Sequence, residues 1–261
     1  MSSVRRPAVA GLFYPNNPEQ LRQMVGGYLA AASADGSPPK ALIVPHAGYV
    51  YSGPVAATAY ATLADVRATI SRVVLLGPAH RVPFTGLAAS STNAFDTPLG
   101  PVFLDRAAID RALDLPQVRV IDEAHRQEHS LEVQLPFLQE ALEDFRLVPL
   151  LVGDASPAVV AEVLELLWGG PETLIVISSD LSHYHDYATA RRLDHATSAA
   201  IEALRPQDIG VDQACGRHPI NGLLELARRR GLAARTLDLR CSGDTAGPRD
   251  QVVGYGAYAF H

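Results

Sequence analysis

Residues 41–53 read ALIVPHAGYVYSG. The first five are apolar without alternation, the pattern of a strand covered on both faces. A histidine, two glycines and two tyrosines then stand where such a strand would leave its sheet. Similar runs recur as RVVLLG (72–77), GLAAS (86–90), FRLVPLLVG (145–153), TLIVISSD (173–180) and QVVGYGAYAF (251–260). Helix-like stretches separate them. NPEQLRQMVGGYLAAASA opens with Asn17 as N-cap and Pro18 at the first helical position. SLEVQLPFLQEALEDF begins at Ser130 and should bend at Pro136. GPVAATAYATLADV, SPAVVAEVLELLW, DYATARRLDHATSAAIEAL and NGLLELARRRG complete the set. This alternation predicts a single α/β domain over residues 1–261, three layers deep, with a central mostly parallel or mixed sheet flanked by helices. SADGSPPK (33–40) reads as a loop within it, because too little chain precedes it to form a separate domain.

Composition narrows the function. The chain has 261 residues, 48% of them hydrophobic, enough for a sizeable core. A net charge of −6 argues against a nucleic-acid surface, which needs a clustered positive field. The one basic cluster, ARRRG at 227–231, reads as a solvated helix end. No run approaches the ~18 apolar residues of a membrane span, and the N-terminal stretch has no secretory h-region. Two cysteines are too few for a disulfide framework, so a cytoplasmic location is expected. Cys215 reads as a small buried hydrophobe, whereas Cys241 lies in a Gly-rich stretch near the last strand, within reach of a site.

In open α/β sheets, ligands bind beyond the carboxyl ends of the strands. His46 follows the first apolar run, His80 the second, and Asp180, His183 and His185 follow TLIVISS. A core has no use for imidazoles gathered at one edge. Histidines with a carboxylate are the donor set of a divalent first-row metal, and glycines beside them let backbone approach a substrate. HRQEH (125–129) matches the inverted zinc-protease pattern, but that chemistry needs both histidines on one helix face. Here they fall in the loop before the helix, leaving His129 as a residue that points toward the pocket. Nucleophile-elbow, phosphate-loop and dinucleotide-fold motifs are absent from the sequence.

The blocks RRPAVAGLFYP, VPHAGYVYSGPVAATAY, LLGPAHR, FDTPLGPV, EHSLEVQLPFLQ, SSDLSHY and VVGYGAYAF occur in an order that resembles the Memo family over nearly the whole chain. The resemblance implies a fold like that of class III extradiol dioxygenases, non-haem iron enzymes that open catechol-type rings. It implies that His46 and His80 bind metal, and that Asp180 and His183 line the pocket, His183 in the acid/base place. A cysteine serves as third ligand in some Memo-like members. Counting back from VVGYGAY puts that position near Thr245, beside Asp244. Asp244 is therefore the expected third ligand, completing a two-histidine, one-carboxylate set suited to iron(II); Cys241 is the alternative if the register slips by four. Tyr49 or Tyr51 is expected to line the cavity, with Cys241 and Thr245 near it. The implied function is metal-dependent oxidation of a small catechol-like substrate, with iron(II) first and copper or zinc behind it. A non-catalytic metal carrier or scaffold, or a zinc hydrolase, remains open, and no protein partner can be read.

Overall fold

A computed structural model describes residues 3–33 and 37–261. Residues 34–36, in the middle of the expected SADGSPPK loop, lie outside the described residues. The strands are β1 (Val4–Arg5), β2 (Ala41–Val44), β3 (Arg72–Pro78), β4 (Leu87–Ala89), β5 (Ala94–Phe95), β6 (Val102–Phe103), β7 (Val118–Val120), β8 (Arg146–Val152), β9 (Thr173–Ser178), β10 (His183–His185), β11 (Ala234–Cys241) and β12 (Val252–Phe260). The helices are α1 (Pro18–Ala31), α2 (Tyr49–Ala61), α3 (Arg106–Leu113), α4 (Asp122–Arg126), α5 (Leu135–Ala141), α6 (Pro157–Leu167), α7 (Tyr187–Glu202), α8 (Arg217–Arg230) and α9 (Ser242–Thr245).

The protein is a three-layer α/β structure around a mixed sheet ordered β10-β12-β2-β9-β3-β8-β4-β7, with β11 paired to the outer side of β12. Its centre, β2-β9-β3-β8, is parallel. Every residue of β2 and β9 is buried, as the unbroken apolar runs require. Helices α1, α2 and α5 pack together, with α2 against β2 and β12; α6 and α8 pack together, with α8 against β3 and β9. Because β2, β9 and β3 are parallel neighbours, their carboxyl ends open at one edge. The chain leaves β2 for β3 across the intervening β9, so that edge is also a crevice between strands.

Local signals hold where they were strongest. Asn17 caps α1 by accepting from the Glu19 and Gln20 backbone N–H groups at 3.0 Å each. The ARRRG arginines occupy the last turn of α8, which ends at Gly231 with φ 69°. Three elements differ from expectation. Pro136 does not bend a long helix; a 3₁₀ turn spans Glu132–Gln134 and Pro136 sits in the first turn of α5, where its missing N–H costs nothing. Helix α2 starts at Tyr49, earlier than the sequence suggests, so the tyrosines of HAGYVYSG are helical. Gly53 gives room to a packed side chain instead of a substrate, since a Cβ there would lie 2.6 Å from the Tyr28 ring. Finally, the stretch before Cys241 is strand β11, part-buried along most of its length.

Candidate metal centre

His46 follows β2 by two residues and is 1% exposed. Its backbone N–H donates to Asp180 Oδ1 at 2.8 Å, which ties the β2 exit to the β9 exit. Its Nδ1 lies 2.8 Å from Ser178 Oγ. That hydroxyl donates to Ser130 O at 2.6 Å and accepts from Gln134 Nε2 at 2.8 Å. The Ser178 proton is thus committed elsewhere, so His46 Nδ1 must be the donor and Nε2 carries the lone pair. Tyr60 fixes the amide orientation by donating to Gln134 Oε1 at 2.8 Å. Burial, reinforced by the neighbouring imidazoles of His80, His129 and His183, pushes the His46 pKa well below its ordinary value. The ring is neutral, the form that binds metals.

His80 follows β3 and is oriented from behind by Glu128. The carboxylate accepts from the His80 backbone N–H at 2.6 Å and from Nδ1 at 2.9 Å. It also accepts from the backbone N–H groups of His129 and Ser130 at 2.8 and 3.0 Å. Burial raises the Glu128 pKa, but these bonds and the His80 imidazole outweigh it and bring the group down to about 2. A carboxylate holding Nδ1–H leaves His80 Nε2 as the outward lone pair, the carboxylate–histidine arrangement common behind bound metals. His129 stacks on His80 with centroids 4.8 Å apart and 16° between planes, and lies 5.5 Å from His46. Burial lowers its pKa to about 4. The Phe13 ring, from the N-terminal segment, lies against it tilted, with centroids 4.9 Å apart.

Cys215 completes the cluster. It stands two residues before α8, with Sγ 3.4 Å from His46 Nε2. Its backbone N–H donates to Asp180 O at 3.3 Å. Burial, then the Asp180 charge, pushes the thiol up to about 12. Among the described residues two groups could hold a metal ion, each with ligand atoms mutually within 4.8 Å: His46, His80 and Cys215, and His80, Glu128 and His129. The first fits better, because Glu128 Oε1 already serves three donors. A tetrahedral ion with N at ~2.05 Å and S at ~2.3 Å puts those ligands about 3.6 Å apart. The 3.4 Å between His46 Nε2 and Cys215 Sγ is close to that edge.

A family model described as Memo-like protein matches residues 5–259. The chain belongs to the Memo family. It is 36% identical over 267 residues to a MEMO1 family protein of Aquifex aeolicus, with 97% of each chain covered. Identity to a MEMO1 family protein of Saccharolobus solfataricus is 33% over 281 residues, covering 98% of this chain and 99% of that one. An Archaeoglobus fulgidus MEMO1 family protein is 35% identical over 276 residues, with 98% and 99% covered. The crystal structure of an uncharacterized protein from Escherichia coli K12 superposes with a TM-score of 0.52 at 14% identity, covering 84% of this chain and 98% of that one. That likeness concerns the fold.

Within this Memo chain the structure brings the strand-exit residues His46, His80, Asp180 and His183 together with His129, which precedes the 3₁₀ turn before α5. His183 Nδ1 bonds Leu181 O at 2.8 Å; a carbonyl only accepts, so Nδ1 carries a proton and Nε2 holds the lone pair whenever the ring is neutral. Asp180 is buried under the cluster, and its pKa is raised by burial against the lowering effect of His183. Asp244 is placed differently from expectation. It belongs to neither metal-capable group. Its carboxylate accepts from Tyr187 OH at 2.7 Å and from the Cys241 backbone N–H at 3.0 Å, and faces Arg191 and Arg249 at 3.8 Å. Cys241 is buried with Ala190 and Val252, its thiol directed at Asp244 Oδ2, and Thr245 Oγ1 donates to Ser242 O at 3.3 Å. Cys241 and Asp244 form the capping box of α9, and Thr245 is the last residue of that helix. Tyr49 is core: its ring meets Tyr14 and Phe137, and its hydroxyl donates to Val133 O at 2.7 Å. Tyr51, two residues on, is 37% exposed.

The sequence reading missed Cys215 and Glu128. The signal for Cys215 was a cysteine followed by glycine at a helix start, ACGRHP; for Glu128 it was the acid next to His129 in HRQEH. His125 belongs to α4 and bonds Ala88 O at 2.9 Å, a structural position.

No helix among the described residues is long and apolar enough to cross a membrane.

Proposed function

We propose that this chain binds one redox-active first-row metal ion through His46 Nε2, His80 Nε2 and Cys215 Sγ, and acts on a small catechol-like molecule beside it. The observation that carries this reading is the pair of imidazoles whose Nδ1 protons are already engaged, by Ser178 and Glu128, so that both Nε2 lone pairs are set to meet the Cys215 thiol. A thiol in place of a carboxylate favours a softer ion, putting copper(I) beside iron(II). When bound, such an ion supplies one-electron chemistry and an electrophilic centre for oxygen donors. The chain's own part is to orient and to move protons. Asp180 fixes the backbone of His46, and His183 Nε2 is free to accept a proton from a substrate hydroxyl. Binding displaces the Cys215 proton, since the thiolate is the ligand. A reducing, cytoplasmic setting fits, because both cysteines are free.

The test is the metal content of protein purified anaerobically without a metal-binding tag, alongside His46→Ala, Cys215→Ser and Asp244→Asn. Stoichiometric copper or iron is expected, lost in the first two variants and kept in the third. A parent without metal, or a Cys215→Ser protein that keeps it, overturns the reading. Zinc with metal-dependent ester or amide cleavage would turn it toward a hydrolase. Bound metal without substrate-dependent O₂ uptake would turn it toward a carrier or scaffold.

A further inference from the structure

Only two non-glycine residues among those described have positive φ, Tyr184 at 61° and Leu204 at 51°. Leu204 lies just past the end of α7, where a left-handed residue is ordinary. Tyr184 is not at a helix end. It lies in the middle of β10 between His183 and His185, where the pairing with β12 is irregular. A left-handed backbone carries a steric cost for an aromatic residue, and glycine would avoid it. The cost also secures no core packing, because Tyr184 is 71% exposed. What the bent backbone does secure is placement: the phenol ring stands edge-on to the His183 imidazole, with centroids 5.7 Å apart.

The surroundings point the same way. Of the nine exposed large hydrophobics among the described residues, five adjoin the candidate metal centre in sequence. Leu12 precedes Phe13, which lies on His129. Val50 and Tyr51 open α2 just after His46, and Val211 is in the loop leading to Cys215. Tyr184 is the fifth. Tyr255 is buried, and its phenol is pushed up by burial and by the neighbouring Asp180, Tyr51, Cys241 and Tyr184. Tyr51 and Tyr184 thus come near one buried tyrosine that also neighbours Asp180.

We propose that Tyr184 is a substrate-binding residue, held by a strained left-handed backbone beside His183, where its ring packs on a small planar apolar molecule entering the pocket. This rests on the pocket reading above and assigns it a specificity element. An exposed aromatic ring with few rotatable bonds contributes contact area with little ordering cost, and aromatic rings meet other rings edge-on or offset.

The experiment titrates neutral 4-nitrophenol, a planar ring that cannot chelate, into metal-free protein and follows its absorbance. Tyr184→Ala and Tyr184→Gly are expected to bind about tenfold more weakly than the parent, and Tyr184→Phe within about twofold of it. Tyr184→Gly, which relieves the backbone, should also melt about 2–4 °C above Tyr184→Ala. Equal affinity in all four proteins overturns the proposal, as does a parent that does not bind the probe. Equal melting of the glycine and alanine variants removes the strained-backbone part. Metal uptake is measured on the same preparations. Ring binding that depends on Tyr184 in a chain that takes up no metal would keep this proposal and sink the metal reading; the converse would sink only this one.

Discussion

Glu128 shows how much of the site is set one step behind the candidate ligands. Its carboxylate takes the His80 Nδ1 proton and three backbone N–H groups, so its lone pairs are consumed in orienting His80 and the start of the His129 segment. Glu128→Gln keeps the size but replaces one acceptor oxygen with a donor that faces donors. Such changes behind a ligating histidine cost roughly 10–100-fold in metal affinity. Competition with a chromogenic chelator should show that loss while the far-ultraviolet circular dichroism stays parental. An affinity equal to that of the parent would mean that His80 is held by packing alone.

Between elements, the decisive link is the N-terminal segment against the 3₁₀ turn before α5. Glu132 is fully buried in that turn and accepts from Arg5 at 2.6 Å, from the backbone of Ala8 and Val9 at 2.7 and 2.9 Å, and from Tyr14 OH at 2.6 Å. Arg5 also donates to His125 O at 2.9 Å, so one ion pair clamps β1, the Val9–Tyr14 turn and the end of α4. The clamp delivers Phe13 to His129 and gives the α2 start a backbone partner, Tyr49 N–H to Phe13 O at 2.8 Å. Removing one partner of a buried pair leaves the other charge uncompensated, at about 3–5 kcal/mol. Glu132→Ala should therefore shift the urea midpoint down by that equivalent. A midpoint within error of the parent would show that the segment is held by its apolar contacts.

Over the whole molecule, pH acts through buried histidines, and one of them, His125, lies outside the candidate metal centre. His125 is pushed down to about 4, chiefly by burial, whereas in the unfolded chain it titrates near ~6.5. As pH falls from about 6.5, the unfolded chain takes up the proton first, so unfolding becomes easier until both states are protonated near pH 4. The contribution, about 3 kcal/mol at neutral pH, is present above about 6.5 and lost through that window. Urea denaturation near pH 7 and near pH 4.5 should show the fall, and His125→Asn should make it smaller by this share, since His46 and His129 are depressed as well. A variant with the parental pH slope would place the loss on other groups.

The sequence by itself determined the α/β class, the buried central strands and the edge at which His46, His80, Asp180 and His183 emerge. Apolar runs without alternation and residues at strand exits are local facts, and parallel strands turn them into a common edge. It also carried the family, through blocks that keep their order over the chain. It did not determine the third sulfur or oxygen at the cluster. Counting back from VVGYGAY points to Asp244 as third ligand, yet in the structure it bonds Tyr187 and Cys241 instead. Cys215 is 169 residues from His46 and arrives beside it only because α8 packs on the sheet next to β9. Tyr49 and Tyr51 are two residues apart in one motif, but the helix that starts there turns one into the core and leaves the other exposed. Spacing along a chain fixes neighbours within an element. Which side chains meet across elements is settled by packing, and only the tertiary structure contains that.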